Sequence, residues 1–151
     1  MKIKTILEKK GSVIYSITPD KTLADMADEM ISRHIGSLLV LNEDGSMAGI
    51  ITERDFLRSV SRHGDAWQSV KVGDVMTSKL ITADFEEELN EVMAKLSENR
   101  IRHIPVVQDN NVAGLLSIVD IVRALHEETT FQNELMKRYI RDWPEDREPK
   151  N

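Results

Sequence analysis

Apolar and polar positions along this chain follow two rhythms that take turns. From Val13 to Thr18, alternation with β-branched residues predicts a strand. Pro19-Asp20-Lys21-Thr22 is turn chemistry, and Leu23, Met26, Ala27, Met30 and Ile31 then recur at helical spacing. Ser37-Leu38-Leu39-Val40-Leu41 predicts a short buried strand, Asn42-Glu43-Asp44-Gly45-Ser46 a hairpin turn, and Met47 to Ile51 a second strand. A helix is expected from Thr52 through Val60. The same order returns, with strands Lys79–Thr82, Ile104–Val107 and Val112–Leu116 and helices Glu87–Glu98 and Ile118–Glu127. Residues 61–71, rich in Ser, His, Gly and Asp, read as a linker. The pattern predicts an α+β chain of two tandem β-α-β-β-α units.

The repetition reaches individual residues. Gly49-Ile50-Ile51-Thr52-Glu53-Arg54-Asp55 is answered by Gly114-Leu115-Leu116-Ser117-Ile118-Val119-Asp120 at a constant offset (114 − 49 = 65, 120 − 55 = 65). Leu23 and Ile35 match Leu89 and Ile101 at an offset of 66 (89 − 23 = 66), and Ile17-Thr18-Pro19-Asp20 matches Ile81-Thr82-Ala83-Asp84 at 64 (81 − 17 = 64). Met1-Lys2-Ile3-Lys4-Thr5-Ile6-Leu7 lines up with Val70-Lys71-Val72-Gly73-Asp74-Val75-Met76. An internal repeat of this kind fixes the architecture. The expected organisation is a first repeat over 1–62, a second over 63–127, and a tail over 128–151. A unit of about sixty residues buries too little surface to be stable alone, so an intramolecular pair is expected.

The tail has no counterpart. Phe131, Leu135 and Tyr139 fall at i, i+4 and i+8 beside Met136 and Ile140, which predicts an amphipathic helix. It is expected either to cap the module's own core or to make an oligomer contact. Pro144 ends the pattern, and the charged Glu145–Asn151 segment is expected to be disordered.

Composition removes several function classes. A net charge of −6 and a pI near 5.3 argue against a nucleic-acid groove or an anionic membrane surface. The chain has no cysteine, which excludes disulfides, thiol catalysis and cysteine metal sites. No apolar run approaches the length of a membrane span, and Met1–Lys10 does not read as a signal peptide. These features fit a cytoplasmic protein. His34, His63, His103 and His126 lack metal-ligand spacing, so no metal is expected. No carboxylate pair stands out as an acid/base couple, and Gly-x-Ser-x-Gly and phosphate-loop motifs are absent.

The hydroxyl-x-x-aspartate motif carries the chemistry. Ser or Thr three residues before an acid, ahead of an apolar run, is a capping-box signature, and a helix N-cap alone would account for either copy. Two features favour a ligand as well. The motif stands twice at the same strand–turn–helix junction, and both copies carry Asp where Glu is the better box partner. A helix N-terminus attracts anions, and an ionised carboxylate can accept both hydroxyls of a ribose. Ribose plus phosphate means a nucleotide.

These two motifs, with Asp74-Val75-Met76-Thr77 and Arg100-Ile101-Arg102-His103-Ile104-Pro105-Val106-Val107, resemble a tandem pair of cystathionine-β-synthase (CBS) domains, the Bateman module, in its small stand-alone bacterial form. The resemblance covers about residues 1–125. It implies two repeats related by a pseudo-twofold axis, with two inter-repeat clefts that each take an adenosine nucleotide. Carried over, one cleft would use Thr52, Arg54 and Asp55 with Thr82, Ile101, Arg102, His103 and Pro105. The other would use Ser117 and Asp120 with Thr18, Lys21, Ile35, Gly36 and Ser37. The first set holds Arg54, Arg102 and His103 to meet phosphate, which guanidinium groups suit. The second has Val119 and Gly36-Ser37 in their places, so it is expected to bind weakly or to prefer a less charged adenosyl ligand. The implied function is adenine-nucleotide-binding regulation, sensing energy or redox state, without catalysis and with no resident cofactor. AMP, ADP, ATP, NAD(H) and S-adenosylmethionine are all compatible, and a homodimer and an unidentified regulated protein are the expected partners. A dimerisation scaffold with vestigial clefts competes with this. An enzyme acting on a nucleotide ranks last, because no nucleophile or base is presented.

Overall fold

The computed structural model describes residues 1–11, 13–127 and 130–142, without the side chains of 130–133 and 142. Among them are two three-stranded sheets and seven α-helices, an α+β architecture. The elements are α1 (Ile3–Lys10), β1 (Ser16–Ile17), α2 (Leu23–Arg33), β2 (Ser37–Leu41), β3 (Met47–Thr52) and α3 (Glu53–His63). A 3-10 turn (Gly64–Ser69) and α4 (Val72–Val75) follow. Then come β4 (Ala83–Asp84), α5 (Leu89–Asn99), β5 (His103–Gln108), β6 (Asn111–Ser117), α6 (Ile118–His126) and α7 (Thr130–Asp142). Each sheet has the order first, second, third strand; β1 lies parallel to β2, and β4 parallel to β5. The two β-α-β-β-α units are present, though the expected linker is largely helical. Trp67 from the 3-10 turn packs edge-on against Phe56, with ring centroids 5.1 Å apart.

Local chemistry explains the helix ends. Thr22, Thr52 and Ser117 each close a reciprocal capping box with the aspartate three residues on. At their C-termini α2 and α5 stop on His34 and Arg100, both left-handed at φ 54°, a conformation ordinarily left to glycine or asparagine. The first hairpin turns at Asn42–Ser46, where the Asn42 N–H donates to the Ser46 carbonyl at 2.8 Å. The second turns on Asp109 and Asn110, both at positive φ, as a two-residue hairpin turn requires.

Backbone pairing corrects the repeat alignment at one place. Ile17 pairs with Val40, and Ala83 with Val106. The Lys21 N–H donates to Thr18, and the Glu87 N–H to Asp84. The offset is therefore 66 from the first strand through the middle strand, before it becomes 65 at the motif, and Thr18 answers to Asp84 instead of Thr82. The Ile-Thr-x-Asp likeness is two residues out of register, so Lys79–Thr82 precedes the strand. The leading segments obey a different equivalence. Leu23 N–H donates to the Val70 carbonyl and Leu89 N–H to that of Met1; Val72 N–H donates to Lys21 and Ile3 N–H to Glu87.

Those bonds reveal an exchange. Among the described residues, 1–11 belong to the compact unit built from Ile81–Gln108, 113–127 and 130–142, whereas Val13–Leu80 forms the other unit with Asp109–Val112. Each unit thus contains the leading segment of the opposite copy. The first core centres on Ile3, Val92, Leu96, Ile104, Leu116 and Ile121, and the second on Leu23, Met26, Leu38, Val40, Ile51 and Val72. Met136 is buried in the first core and Tyr139 packs against it, so this face of α7 caps its own unit while Ile140 stays exposed. Phe131's side chain and residues 143–151, where the tail was expected to end and lose order, lie outside the described residues.

The glycines that open the two motifs admit the leading segments. A Cβ on Gly49 would stand 2.7 Å from the Thr77 carbonyl oxygen and 2.8 Å from the Met76 sulfur. A Cβ on Gly114 would stand 2.7 Å from Leu7 Cδ2, the tip of a flexible side chain. Overpacking of this kind costs about 1–3 kcal/mol. Gly49→Ala should lie at or beyond the top of that range, because a backbone oxygen is in the way, and Gly114→Ala near the bottom. Urea unfolding of the two variants checks the order, and equal losses would mean that both segments yield alike.

Candidate functional site

Each unit holds one hydroxyl-x-x-aspartate helix start. In the first repeat the Thr52 N–H donates to Asp55 Oδ2 at 3.0 Å, and the Asp55 N–H donates back to Thr52 Oγ1 at 3.5 Å. In the second the Ser117 N–H donates to Asp120 Oδ2 at 2.9 Å, and the Asp120 N–H to Ser117 Oγ at 3.1 Å. Asp55 is buried and Asp120 half-buried. The same box forms at Thr22–Asp25, which is exposed and does not follow a Gly-apolar-apolar strand. Aspartate therefore closes a complete box at all three positions, and its presence alone does not distinguish a ligand site from a cap.

The start of the middle strand stands beside this junction in each unit. The Glu53 N–H donates to the Gly36 carbonyl at 3.1 Å, and the Ile118 N–H to the Arg102 carbonyl at 2.8 Å. A Cβ on Gly36 would lie 2.7 Å from Glu53 Oε1, the tip of an exposed side chain that would have to move aside. Ser37 is buried at the first position of β2. His103 opens β5 half-buried, Arg102 before it is exposed, and Pro105 is buried within the strand. Arg102 and His103, grouped with Asp55 by the resemblance, thus share a unit with Asp120. Ile35 and Ile101 pack against their own cores. Thr82 lies ahead of β4, where its carbonyl accepts from Lys95 Nζ at 3.1 Å. Thr18 and Lys21 line an open cavity of about 620 Å³ whose wall also carries Asp25, Asp28, Glu29 and Glu43, an acidic setting for a phosphate. Arg54 is exposed on the first turn of α3.

The sequence reading missed Lys10. Its ammonium, in the last turn of α1, donates to Asp120 Oδ2 and to the Leu115 carbonyl, each at 2.7 Å. Extending the alignment of the leading segments by three residues would have singled it out, paired with Lys79. Burial pushes the Asp120 carboxyl up, but the Lys10 hydrogen bond, the Ser117 bonds and the Lys10 charge together hold it below the ordinary aspartate value. His103 is held below the ordinary histidine value, first by burial. The Asp120 charge pulls it up, and the Lys10 and Arg102 charges push it down. Near neutral pH the ring is therefore uncharged. No cluster of His, Asp or Glu among the described residues could hold a metal ion.

These shifts have definite signs. An unfolded histidine titrates near 6.5, and the folded ring resists the proton, so stability falls as pH drops below about 6.5. The lowered Asp120 adds a second loss, below its unfolded value of 3.8, as the carboxylate is protonated. Between pH 7.5 and 5.5 only the first operates at this site. The wild type should lose urea resistance across that interval, and His103→Gln should lose measurably less. Identical slopes for both would show that His103 is not the group involved.

The comparisons agree with this architecture. The CBS domain profile matches residues 11–62 and 72–127. The mitochondrial CBS domain-containing protein CBSX3 of Arabidopsis thaliana is 41% identical over 127 residues, which are 82% of this chain and 62% of that protein. The chain thus spans less than two thirds of that relative's length. A CBS-domain protein of Agrobacterium tumefaciens superposes with a TM-score of 0.79 at 30% identity, covering 82% of this chain and 98% of the other. The CBS domain pair of protein MJ0100, solved in complex with 5′-methylthioadenosine and S-adenosyl-L-methionine, superposes with a TM-score of 0.75 at 25% identity, covering 85% and 98%. The duplicated unit, its two matched segments and these relatives establish that the chain belongs to the CBS domain family, as a tandem pair.

Proposed function

We propose that the chain is a regulatory module that binds an adenosyl ligand and does not transform it. The observation that carries this is the duplicated helix start, in which a strand, a hydroxyl cap and an at least half-buried aspartate recur in both units. An aspartate fixed at a helix N-terminus suits a ribose diol, and the free N–H groups of the first turn suit an anion. That a related domain pair was solved with two adenosyl compounds supports the ligand class. In this reading Asp55 and Asp120 hold ribose hydroxyls and Thr52 and Ser117 flank them. Arg54, Arg102 and His103 meet phosphate, while Thr82, Ile101, Pro105, Thr18, Lys21, Ile35, Gly36 and Ser37 complete the surroundings. AMP, ADP and ATP are the leading ligands, ahead of NAD(H) and S-adenosylmethionine. The module works as a cytoplasmic homodimer and passes its ligand state to a regulated protein. Among the described residues no helix is long and apolar enough to cross a membrane.

The scaffold reading draws on the three complete capping boxes, which give each motif a purely structural use. Thr22–Asp25 separates the two readings, because it caps without following the strand motif. A ligand at about a hundred times its dissociation constant stabilises by about 2.7 kcal/mol, on the order of 5–10 °C for this chain length. Such a shift is expected with an adenine nucleotide. Asp25→Ala should lower stability slightly, through the lost capping box, and leave affinity unchanged. Asp55→Ala should add an affinity loss of about one to three decades, since each charge-assisted bond contributes roughly 1.5–3 kcal/mol. A flat thermal-shift screen over all five ligands at millimolar concentration would sink the sensing reading and leave the scaffold.

The tail gives a separate test of assembly. Truncation after Glu128 removes Met136 and Tyr139 from their core and should lower the melting temperature. Light scattering should still return a dimer, because α7 turns this face toward its own unit. A monomer would assign the tail to the dimer contact.

A further inference from the structure

The two motif aspartates are alike in sequence and unlike in charge environment. Asp120 Oδ2 already accepts the Ser117 cap N–H at 2.9 Å and the Lys10 ammonium at 2.7 Å. The pair is shielded on one side, since the Asp120 side chain is 13% exposed and that of Lys10 is 37% exposed. Lys10 is held further by the Leu115 carbonyl at 2.7 Å, and it sits in the last turn of α1, where a cation is favoured. In the other unit Asp55 keeps its cap, yet it forms no ion pair among the described residues. Lys79, the positional counterpart of Lys10, reaches no carboxylate among them either.

A ribose arriving at Asp120 must therefore compete with an internal cation. Two hydroxyls can replace the ammonium as donors, but they bring no charge to match the carboxylate. The displaced ammonium would also lose the one carboxylate it pairs with among the described residues. A ligand that carries phosphate supplies a new anion for Lys10 beside Arg102, while its hydroxyls take the carboxylate. An uncharged adenosyl ligand supplies none, and a cationic one adds repulsion. We propose that Lys10 is a counter-ion latch that makes the Asp120 site select phosphate-bearing adenosyl ligands over uncharged and cationic ones. This rests on the adenosyl-binding reading, and it reverses the expectation that the second site prefers the less charged ligand. It also gives α1 a ligand-dependent anchor, because its last turn exchanges a protein carboxylate for a ligand phosphate.

The test is calorimetric titration of AMP and adenosine into the full chain carrying Asp55→Asn, which keeps a cap acceptor and leaves Asp120 to report. With Lys10 present, AMP should bind at least about tenfold more tightly than adenosine, a difference of about 1.4 kcal/mol. Adding Lys10→Met should tighten adenosine and weaken AMP, so that the preference falls by about tenfold. Lys10→Arg should preserve the preference, since charge and reach are kept. An unchanged ratio in the Lys10→Met protein, or equal tightening of both ligands, overturns the latch. Binding of neither ligand to any variant, the wild type included, overturns the adenosyl reading and the selection with it. A second readout needs no ligand: the carbon-13 titration of the Asp120 carboxyl should move to higher pH in Lys10→Met, and an unmoved midpoint denies the pairing in solution.

Discussion

Close approach at two glycines is the constraint on which the rest of this structure depends. Gly49 and Gly114 stand in the third strand of each sheet, where any Cβ would strike the leading segment that docks there. Because Leu7 can settle onto Gly114, α1 lies against the strand that feeds α6. Lys10 follows Leu7 by three residues, on the same face of the helix, and this brings its ammonium to the Leu115 carbonyl and Asp120. The docked helix thus brings a cation to an aspartate six residues beyond the glycine. The same contact supplies apolar burial, since Ile3, Ile6 and Leu7 all enter the core of that unit. At about 25 cal/mol per Å² such burial outweighs the exposed ion pairs that Lys2 and Lys4 make with Glu86.

The capping box and the ligand role of each aspartate are compatible because a carboxylate has more accepting sites than a cap uses. The cap bonds of Asp55 and Asp120 run to Oδ2. An ionised carboxylate offers about four lone-pair sites. A cap also fixes the side chain, so that a ligand meets a carboxylate whose rotamer is already chosen; ordering it costs nothing further at binding. What the cap does not set is the neighbouring charge. Glu53 beside Gly36 and the Lys10–Arg102–His103 group beside Asp120 give the two helix starts different electrostatic surroundings from nearly the same local sequence.

Features carried by contiguous residues were legible in the sequence. The Asn42–Ser46 hairpin, the helix starts at Thr52 and Ser117 and the order of elements follow from turn chemistry, caps and periodicity within a few residues. Features set by distant backbone were not. Ile81-Thr82 looks like Ile17-Thr18, yet the strand begins two residues later, because its register is fixed by Ala83 facing Val106 and by Leu89 bonding to Met1. The leading segments were aligned with each other correctly, and their equivalent bonds to Lys21 and Glu87 bear this out. That each docks in the unit of the other copy leaves no trace in local pattern. Lys10 escaped for the same reason, since its partners lie 105 and 110 residues away.

The net charge of −6 misleads at the scale of a site. Screening confines an exposed charge to roughly 8 Å at physiological ionic strength, so a small ligand meets its immediate neighbours and not the total. Around His103 those neighbours are Asp120, Lys10 and Arg102; burial is the largest influence and opposes protonation, the Asp120 charge favours it, and the Lys10 and Arg102 charges oppose it. Asp120 is the one anion in the group, and it is engaged by Lys10. An anion arriving there would add negative charge to the group. It would draw on the charges of Lys10 and Arg102 and favour protonation of His103, which burial now opposes. Ligand charge and proton uptake would then be linked through one ring.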